Sequence, residues 1–80
     1  MEKNEILNQV QAIFCDVLDN EDIVLSNETT ANDIEEWDSL SHIQLIVAIE
    51  KNFKLKFTSL EIMKWKNVGE MVDTIYQRIN

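Results

Sequence analysis

The feature that most restricts the fold of this chain is its near absence of glycine and proline. Its 80 residues contain no proline and a single glycine, Gly69. A sheet-rich domain of this size needs several tight turns, and such turns depend on glycine and proline. Hydrophobic residues make up 45% of the chain and charged residues 28%, a balance typical of a folded globular protein. The sequence therefore predicts one all-α domain over residues 1–80.

Apolar residues recur at helical spacing in several segments, which predicts a small four-helix bundle of three longer helices and one short helix. Thr58 and Glu61 have the spacing of a capping box, which predicts the start of the short third helix. Asn67 and Glu70 are a less conventional cap for the last helix. The predicted helices cover about residues 3–18, 39–52, 59–65 and 68–79.

A long polar loop is expected between the first two helices, over residues 19–38. Loops of this length without secondary structure are uncommon in compact domains, and usually either pack through a few side chains or carry function. We expect both here. The apolar residues expected to anchor the loop are Ile23, Val24, Leu25, Ile34 and Trp37.

Acidic residues are concentrated in the first half of the chain. The formal net charge is -8, with -10 in residues 1–41 and +2 in residues 42–80. Such a field repels nucleic acid, whose binding depends on cationic contacts to phosphate, and attracts proteins with basic patches. Charge alone leaves open whether the acids do more than support solubility.

Several other classes of protein are disfavoured by the sequence. No apolar run approaches the length of a membrane span, and the N-terminal residues lack the pattern of a secretory leader. We therefore expect a soluble cytoplasmic protein, most simply a monomer. Cys15 and His42 are the only cysteine and histidine, so neither an internal disulfide nor a structural zinc site is expected.

The predicted second helix carries more apolar surface than a surface helix needs. At about 100° per residue, one apolar sector suffices to face the core. A second apolar strip lies on roughly the opposite side, and it indicates either burial on all sides or a face that docks partner proteins. The core sector comprises Leu45, Ile46, Ile49 and Phe53, and the second strip comprises Leu40, Ile43 and Val47.

Ser39 lies at the start of this two-faced helix, with Asp38 or Ser39 itself at the N-cap. A helix start leaves backbone NH groups free and carries partial positive charge, so a phosphodiester attached to Ser39 would be well placed there. A simple capping role is the alternative. Asp38, Ser39 and His42 also supply the residue types of a hydrolase triad, but their spacing on one helix and the lack of a glycine-rich elbow argue against catalysis.

The order of these features resembles the acyl carrier protein family. The resemblance covers nearly the whole chain: a long first helix, a long loop, Asp38-Ser39-Leu40 at the next helix start, a short third helix and a last helix that contains Val68. In that family a serine receives 4'-phosphopantetheine from coenzyme A, and the thiol of this arm holds acyl groups as thioesters. The resemblance implies a carrier without catalytic activity.

The resemblance also implies roles for particular residues. Ser39 would be the attachment site and Asp38 would support recognition by the phosphopantetheinyl transferase. Acyl-loading and acyl-transferring enzymes with basic or apolar docking patches would be the other partners. The implied partner contacts are Leu40, Ile43, Val47 and the acidic Glu50, and the implied lining of an acyl pocket is Leu45, Ile49, Phe53, Ile62 and Val72.

Some positions depart from the family pattern. Glu36 stands where the family commonly has a glycine, and Gln44 and Lys51 stand where carboxylates are frequent. A specialised carrier for a polyketide-like, lipid or aminoacyl pathway is therefore as consistent with the sequence as a carrier for fatty acid synthesis. An aminoacyl or peptidyl carrier and an unmodified acidic interaction module are the remaining alternatives.

Overall fold

The computed structural model describes residues 1–79 and confirms an all-α bundle. Each helix boundary differs from the predicted one by at most one residue. A short 3-10 turn at Ala31–Asp33 interrupts the loop between the first two helices. Within the described residues, no helix combines the length and apolar character needed to cross a membrane. The helices are α1 (Lys3–Val17), α2 (Ser39–Phe53), α3 (Ser59–Lys64) and α4 (Val68–Ile79).

Helix α1 forms because its apolar residues repeat every four positions. Ile6, Val10 and Phe14 lie on one face and are completely buried. The helix stops at Asp19, whose φ of 53° is left-handed, and the NH of the next residue, Asn20, donates to the carbonyl oxygen of Cys15 at 3.0 Å. This Schellman-type ending satisfies free carbonyls without a glycine.

The core lies where α1 packs against α2 and α4, while α3 packs against the side of α4. One continuous apolar cluster joins these helices to the long loop. The prediction of Val24 as a loop anchor is wrong, since its side chain is 79% exposed. In the extended segment around it, Ile23 and Leu25 point inward and Val24 therefore points outward. The buried cluster comprises Ile6, Val10, Phe14, Ile23, Leu25, Ile34, Leu45, Ile49, Val68, Met71, Val72 and Ile75.

The long loop caps the start of α4. The NH groups of Val68 and Gly69 each donate at 2.9 Å, the first to the carbonyl oxygen of Thr29 and the second to that of Asn27. These bonds satisfy two of the NH groups that a helix start leaves free. A Cβ atom at Gly69 would lie 2.7 Å from the Asn27 carbonyl oxygen. The single glycine thus permits the loop backbone to approach the helix.

Candidate functional site

The start of α2 is fixed by a reciprocal cap between Asp38 and Ser41. The Asp38 carboxylate accepts a hydrogen bond from the Ser41 backbone NH at 2.9 Å, and the Ser41 hydroxyl accepts one from the Asp38 NH at 2.8 Å. The buried Ser41 hydroxyl also donates to the carbonyl oxygen of Glu36 at 2.9 Å. The hydrogen bond from the backbone NH of Ser41 is the main cause that holds the pKa of Asp38 below its usual value. Asp38 is therefore the N-cap, and it is ionised.

Ser39 is the first residue of α2 and is exposed to solvent. Among the described residues, its hydroxyl has no hydrogen-bond partner. The capping work at this helix start is done by Asp38 and Ser41 instead. The simple capping role that the sequence left open for Ser39 is therefore excluded, and its oxygen is accessible and uncommitted.

Trp37 and His42 form one wall beside Ser39. The indole Nε1 of Trp37 donates to Nδ1 of His42 at 3.0 Å, and the two rings are stacked with an interplanar angle of 22°. Trp37 also packs edge to face on Phe14, with ring centroids 4.9 Å apart. Partial burial lowers the pKa of His42. His42 therefore lies against the core as a neutral imidazole with its proton on Nε2.

Trp65 forms a second wall. Its Nε1 donates to the hydroxyl of Thr74 in α4 at 2.9 Å, and that hydroxyl in turn donates to the carbonyl oxygen of Glu70 at 3.0 Å. Phe57 packs edge to face on the Trp65 ring at a centroid distance of 4.8 Å. The indole is consequently held at a fixed position in the segment between α3 and α4.

An open cleft of about 340 Å³ lies between these two walls, directly beside Ser39. Its size is near the lower end of the range for small-molecule sites. Both tryptophans of the chain line it. The complete lining is Ala31, Trp37, Asp38, Ser39, His42, Trp65, Lys66, Asn67 and Met71.

The cleft and the helix start suit a phosphate diester that continues into a less polar arm. The N-terminal end of α2 carries partial positive charge next to the Ser39 oxygen. Lys66, on the cleft lining, adds a cation, while the aromatic walls offer surface for an extended chain. The donor set thus fits a phosphopantetheine group attached to Ser39.

The residues of the rejected hydrolase triad are not joined into a relay. The Asp38 carboxylate is bonded to Ser41, and Nδ1 of His42 accepts from Trp37. Within residues 1–79, no hydrogen bond links Ser39 to His42. A triad would require the acid to orient the histidine and the histidine to accept from the serine.

The second apolar strip of α2 is solvent-exposed. Leu40 is 68% exposed, Ile43 62% and Val47 44%. Burial of α2 on all sides, the alternative that the sequence left open, is therefore wrong. The exposed Leu60 and Met63 of α3 add further apolar surface.

Glu50, which the resemblance implies as an acidic partner contact, is engaged in a hydrogen bond within the protein. Its carboxylate accepts a hydrogen bond from the backbone NH of Phe57 at 2.8 Å, which ties the loop after α2 to the helix. The side chain is only partly exposed. Glu50 therefore holds the loop that leads into α3.

The five predicted acyl-pocket residues lie away from the cleft. Leu45, Ile49 and Val72 are fully buried in the core, whereas Phe53 and Ile62 are partly buried. None of the five lines the cleft beside Ser39. Sequence reasoning missed the residues that do, above all Trp65 and Met71, because the helical period does not show which segments meet. It also missed Ser41, although the Asp-x-x-Ser spacing is a recognisable capping signal.

Comparisons with known proteins agree with this geometry. A family model described as a phosphopantetheine attachment site matches residues 8–75. The chain is 35% identical over 79 residues to an acyl carrier protein of Cyanidium caldarium, covering 98% of this chain and 91% of that protein. It is 32% identical over 80 residues to an acyl carrier protein of Thermosynechococcus vestitus, covering 99% and 98%.

A similarity to a solved structure agrees as well. The solution NMR structure of the holo acyl carrier protein from Geobacter metallireducens superposes with a TM-score of 0.88 at 46% sequence identity, covering 92% of this chain and 85% of that chain. The similarity thus includes both the sequence and the arrangement of the helices.

Proposed function

The chain belongs to the acyl carrier protein family, whose model describes a phosphopantetheine attachment site, and we propose that Ser39 carries its 4'-phosphopantetheine arm. The observation that supports this assignment most is the uncommitted, exposed hydroxyl of Ser39 beside a capped helix start. When bound, the arm supplies a thiol that holds acyl groups as thioesters. The protein itself is a carrier without catalytic activity.

The residues around Ser39 have positioning roles in this proposal. The Asp38–Ser41 cap fixes the first turn of α2, so the oxygen is presented at a constant position and angle. Lys66 and the helix start offset the negative charge of a phosphodiester. The phosphopantetheinyl transferase supplies the catalysis, since no base within residues 1–79 is bonded to the Ser39 hydroxyl.

The exposed strip of α2 is the proposed docking face for partner enzymes, together with Asp38. Leu40, Ile43 and Val47 present apolar side chains in one row that begins next to Ser39. An exposed row of this kind suits an enzyme surface that must approach the arm. The partners are acyl-loading and acyl-transferring enzymes of fatty acid, polyketide or related biosynthesis.

We further propose that short cargo lies in the cleft beside Ser39, and not between the buried core residues. Leu45, Ile49 and Val72 are completely packed, so a chain inserted among them would have to displace native contacts. The cleft is open and, at about 340 Å³, small. Its two indoles favour a carrier for short acyl groups.

The attachment is tested by incubating the protein with coenzyme A and a broad-specificity phosphopantetheinyl transferase, followed by intact-mass measurement. The wild type gains one phosphopantetheine and Ser39→Ala gains none. An unchanged wild-type mass contradicts the proposal. The position of the cargo is tested by loading acyl groups of increasing length onto the arm and measuring tryptophan emission. Because both tryptophans line the cleft, even the shortest acyl groups should change the emission. An emission that changes only with long acyl groups would indicate binding in the core.

A further inference from the structure

A second groove lies at the C-terminal end of α2, far from the cleft beside Ser39. Its volume is about 420 Å³. Val47 and Leu55 contribute apolar surface, and three lysines surround them, which is unusual in a chain of net charge -8. The complete lining is Val47, Glu50, Lys51, Lys54, Leu55 and Lys56.

The three lysines of this groove have no internal counter-charge. Lys51, Lys54 and Lys56 are exposed, and no carboxylate of residues 1–79 forms an ion pair with them. Glu50, the one acid in the lining, is hydrogen-bonded to the backbone NH of Phe57. The positive charge is therefore available to another molecule.

The groove continues the exposed apolar strip of α2. At about 100° per residue, Lys51 falls within the same sector as Leu40 and Val47. Lys54 follows the last residue of the helix, Phe53. Fifteen residues separate Ser39 from Lys54, a distance of about 22 Å along the helix axis. Acidic residues therefore precede α2 in the loop and at its N-cap, its exposed strip is apolar, and lysines lie at its C-terminal end.

Lys54 is also conformationally unusual. It follows α2 with φ 57° and ψ 48°, in the left-handed region where glycine is favoured. This conformation ends α2, as Asp19 ends α1. A cation near a helix C-terminus also gains from the macrodipole.

From this arrangement we propose that the groove docks a cluster of carboxylates on the partner enzymes. The inference rests on the proposed function, because the partner is an enzyme that must reach an arm on Ser39. Its surface would present basic groups toward Asp38, an apolar centre, and carboxylates about 22 Å away toward Lys51 and Lys54. Because the charges at the two ends of α2 are opposite in sign, a partner with this charge pattern binds along α2 in one direction only. An anionic membrane or nucleic acid fits less well, because the acids that precede α2 repel it.

A synthetic peptide with matched charge provides the test. The probe is an amphipathic helix of about 16 residues, roughly as long as the docking face, with a leucine stripe, lysines at one end and glutamates at the other. The control peptide has glutamine in place of each glutamate. Binding to the full chain is followed by amide chemical shifts in NMR titrations. The glutamate peptide should bind roughly three- to tenfold tighter and shift the amides of residues 51–56.

Variants of the protein assign the effect to the groove. Lys51→Gln/Lys54→Gln should remove the advantage of the glutamate peptide, whereas Lys3→Gln/Lys64→Gln, with the same change in net charge, should keep it. Lys54→Gly should raise the melting temperature, because glycine tolerates the left-handed backbone, yet weaken binding of the glutamate peptide. A higher melting temperature together with weaker peptide binding would show that Lys54 acts in docking and not in stabilising the fold.

Three results would overturn the proposal: equal affinity of the two peptides, an equal loss in both double variants, or lysine-dependent binding to phosphatidylglycerol vesicles in place of the peptide. The Ser39→Ala variant should bind the glutamate peptide as the wild type does. Failure of arm attachment therefore bears on Ser39 alone, and failure of the peptide experiment bears on the groove alone.

Discussion

The side chains of Trp37 and His42 connect the long loop to α2 through a 3.0 Å hydrogen bond from the indole Nε1 to the imidazole Nδ1. An accepting Nδ1 requires neutral His42. Burial favours the same form and lowers the pKa of His42. This pair forms one wall of the cleft beside Ser39, so its protonation state bears on the shape of the site.

The pH dependence of stability follows from this pair. Because the pKa of folded His42 lies below the unfolded value of 6.5, the unfolded chain binds more protons between the two values. The stabilisation is complete above pH 6.5 and is lost as the pH falls through 6.5 toward the folded pKa, by at most about 1.4 kcal/mol per pH unit. Unfolding midpoints measured from pH 8 to pH 5.5 check this.

A control is available because His42 is the only histidine. In His42→Gln the dependence between pH 7.5 and the onset of carboxylate titration should disappear. In Trp37→Phe the NMR titration of His42 should move up toward 6.5, and the free energy of unfolding should fall by about 1 kcal/mol, since one hydrogen bond is lost. A His42 that titrates above 6.5 in the wild type would be incompatible with the structure.

Substitution by alanine should destabilise the protein at Ser41 but hardly at Ser39, although both serines lie in the first turn of α2. Ser41 is buried and its hydroxyl is bonded to the backbone of Glu36 and Asp38, so Ser41→Ala should lower the free energy of unfolding by about 1–2 kcal/mol. Ser39 is exposed, and Ser39→Ala should change stability by less than about 0.5 kcal/mol. Urea unfolding of both variants measures the difference. A larger loss for Ser39 would show that it has the structural role assigned to Ser41.

Substitution of Gly69 tests the contact between the loop and α4. Alanine has the higher helix propensity, by about 1 kcal/mol. Its Cβ would nevertheless lie 2.7 Å from the Asn27 carbonyl oxygen, a backbone atom that cannot move away cheaply. Gly69→Ala should therefore destabilise the fold by about 1–3 kcal/mol, while Gln77→Ala on the exposed side of α4 should be nearly neutral. A stabilised Gly69→Ala would mean that the loop does not lie where it is described.

Salt should stabilise the protein. None of the eleven acidic residues in residues 1–41 takes part in an ion pair within residues 1–79; the two ion pairs there are Lys3 with Asp73 and Arg78 with Glu61. Salt screens the repulsion among these eleven acids, and it should therefore raise the melting temperature by roughly 5 °C between low and moderate salt. Glu21→Gln/Glu28→Gln should begin with a higher midpoint and gain less from salt. A midpoint that stays constant or falls with ionic strength contradicts this.

Much of the fold could be predicted because it depends on local patterns. The period of Ile6, Val10 and Phe14 identifies α1, and the spacing of Thr58 and Glu61 identifies the start of α3. The prediction of Val24 as a loop anchor is wrong because a run of three apolar residues does not show which of them faces inward when the segment is extended.

The composition of the candidate site could be predicted only in part. The exposed strip of α2 follows from a helical wheel, and Ser39 follows from its place at the start of the same helix and from the resemblance carried by Asp38-Ser39-Leu40. Trp65 and Met71 join the cleft from segments distant along the chain, and the Trp37–His42 bond depends on how the loop folds back. The reason for glycine at position 69 lies 42 residues earlier, at Asn27. Contacts of this kind are tertiary, and no local period encodes them.

The measurement that tests the central claim most directly is localisation of the arm by fragment mass spectrometry after treatment with transferase and coenzyme A. We expect the added mass on Ser39 in the wild type and in Ser41→Ala, and on no residue in Ser39→Ala. A chain that remains unmodified, or one that carries the arm on Ser41 or on any other residue, would contradict the account.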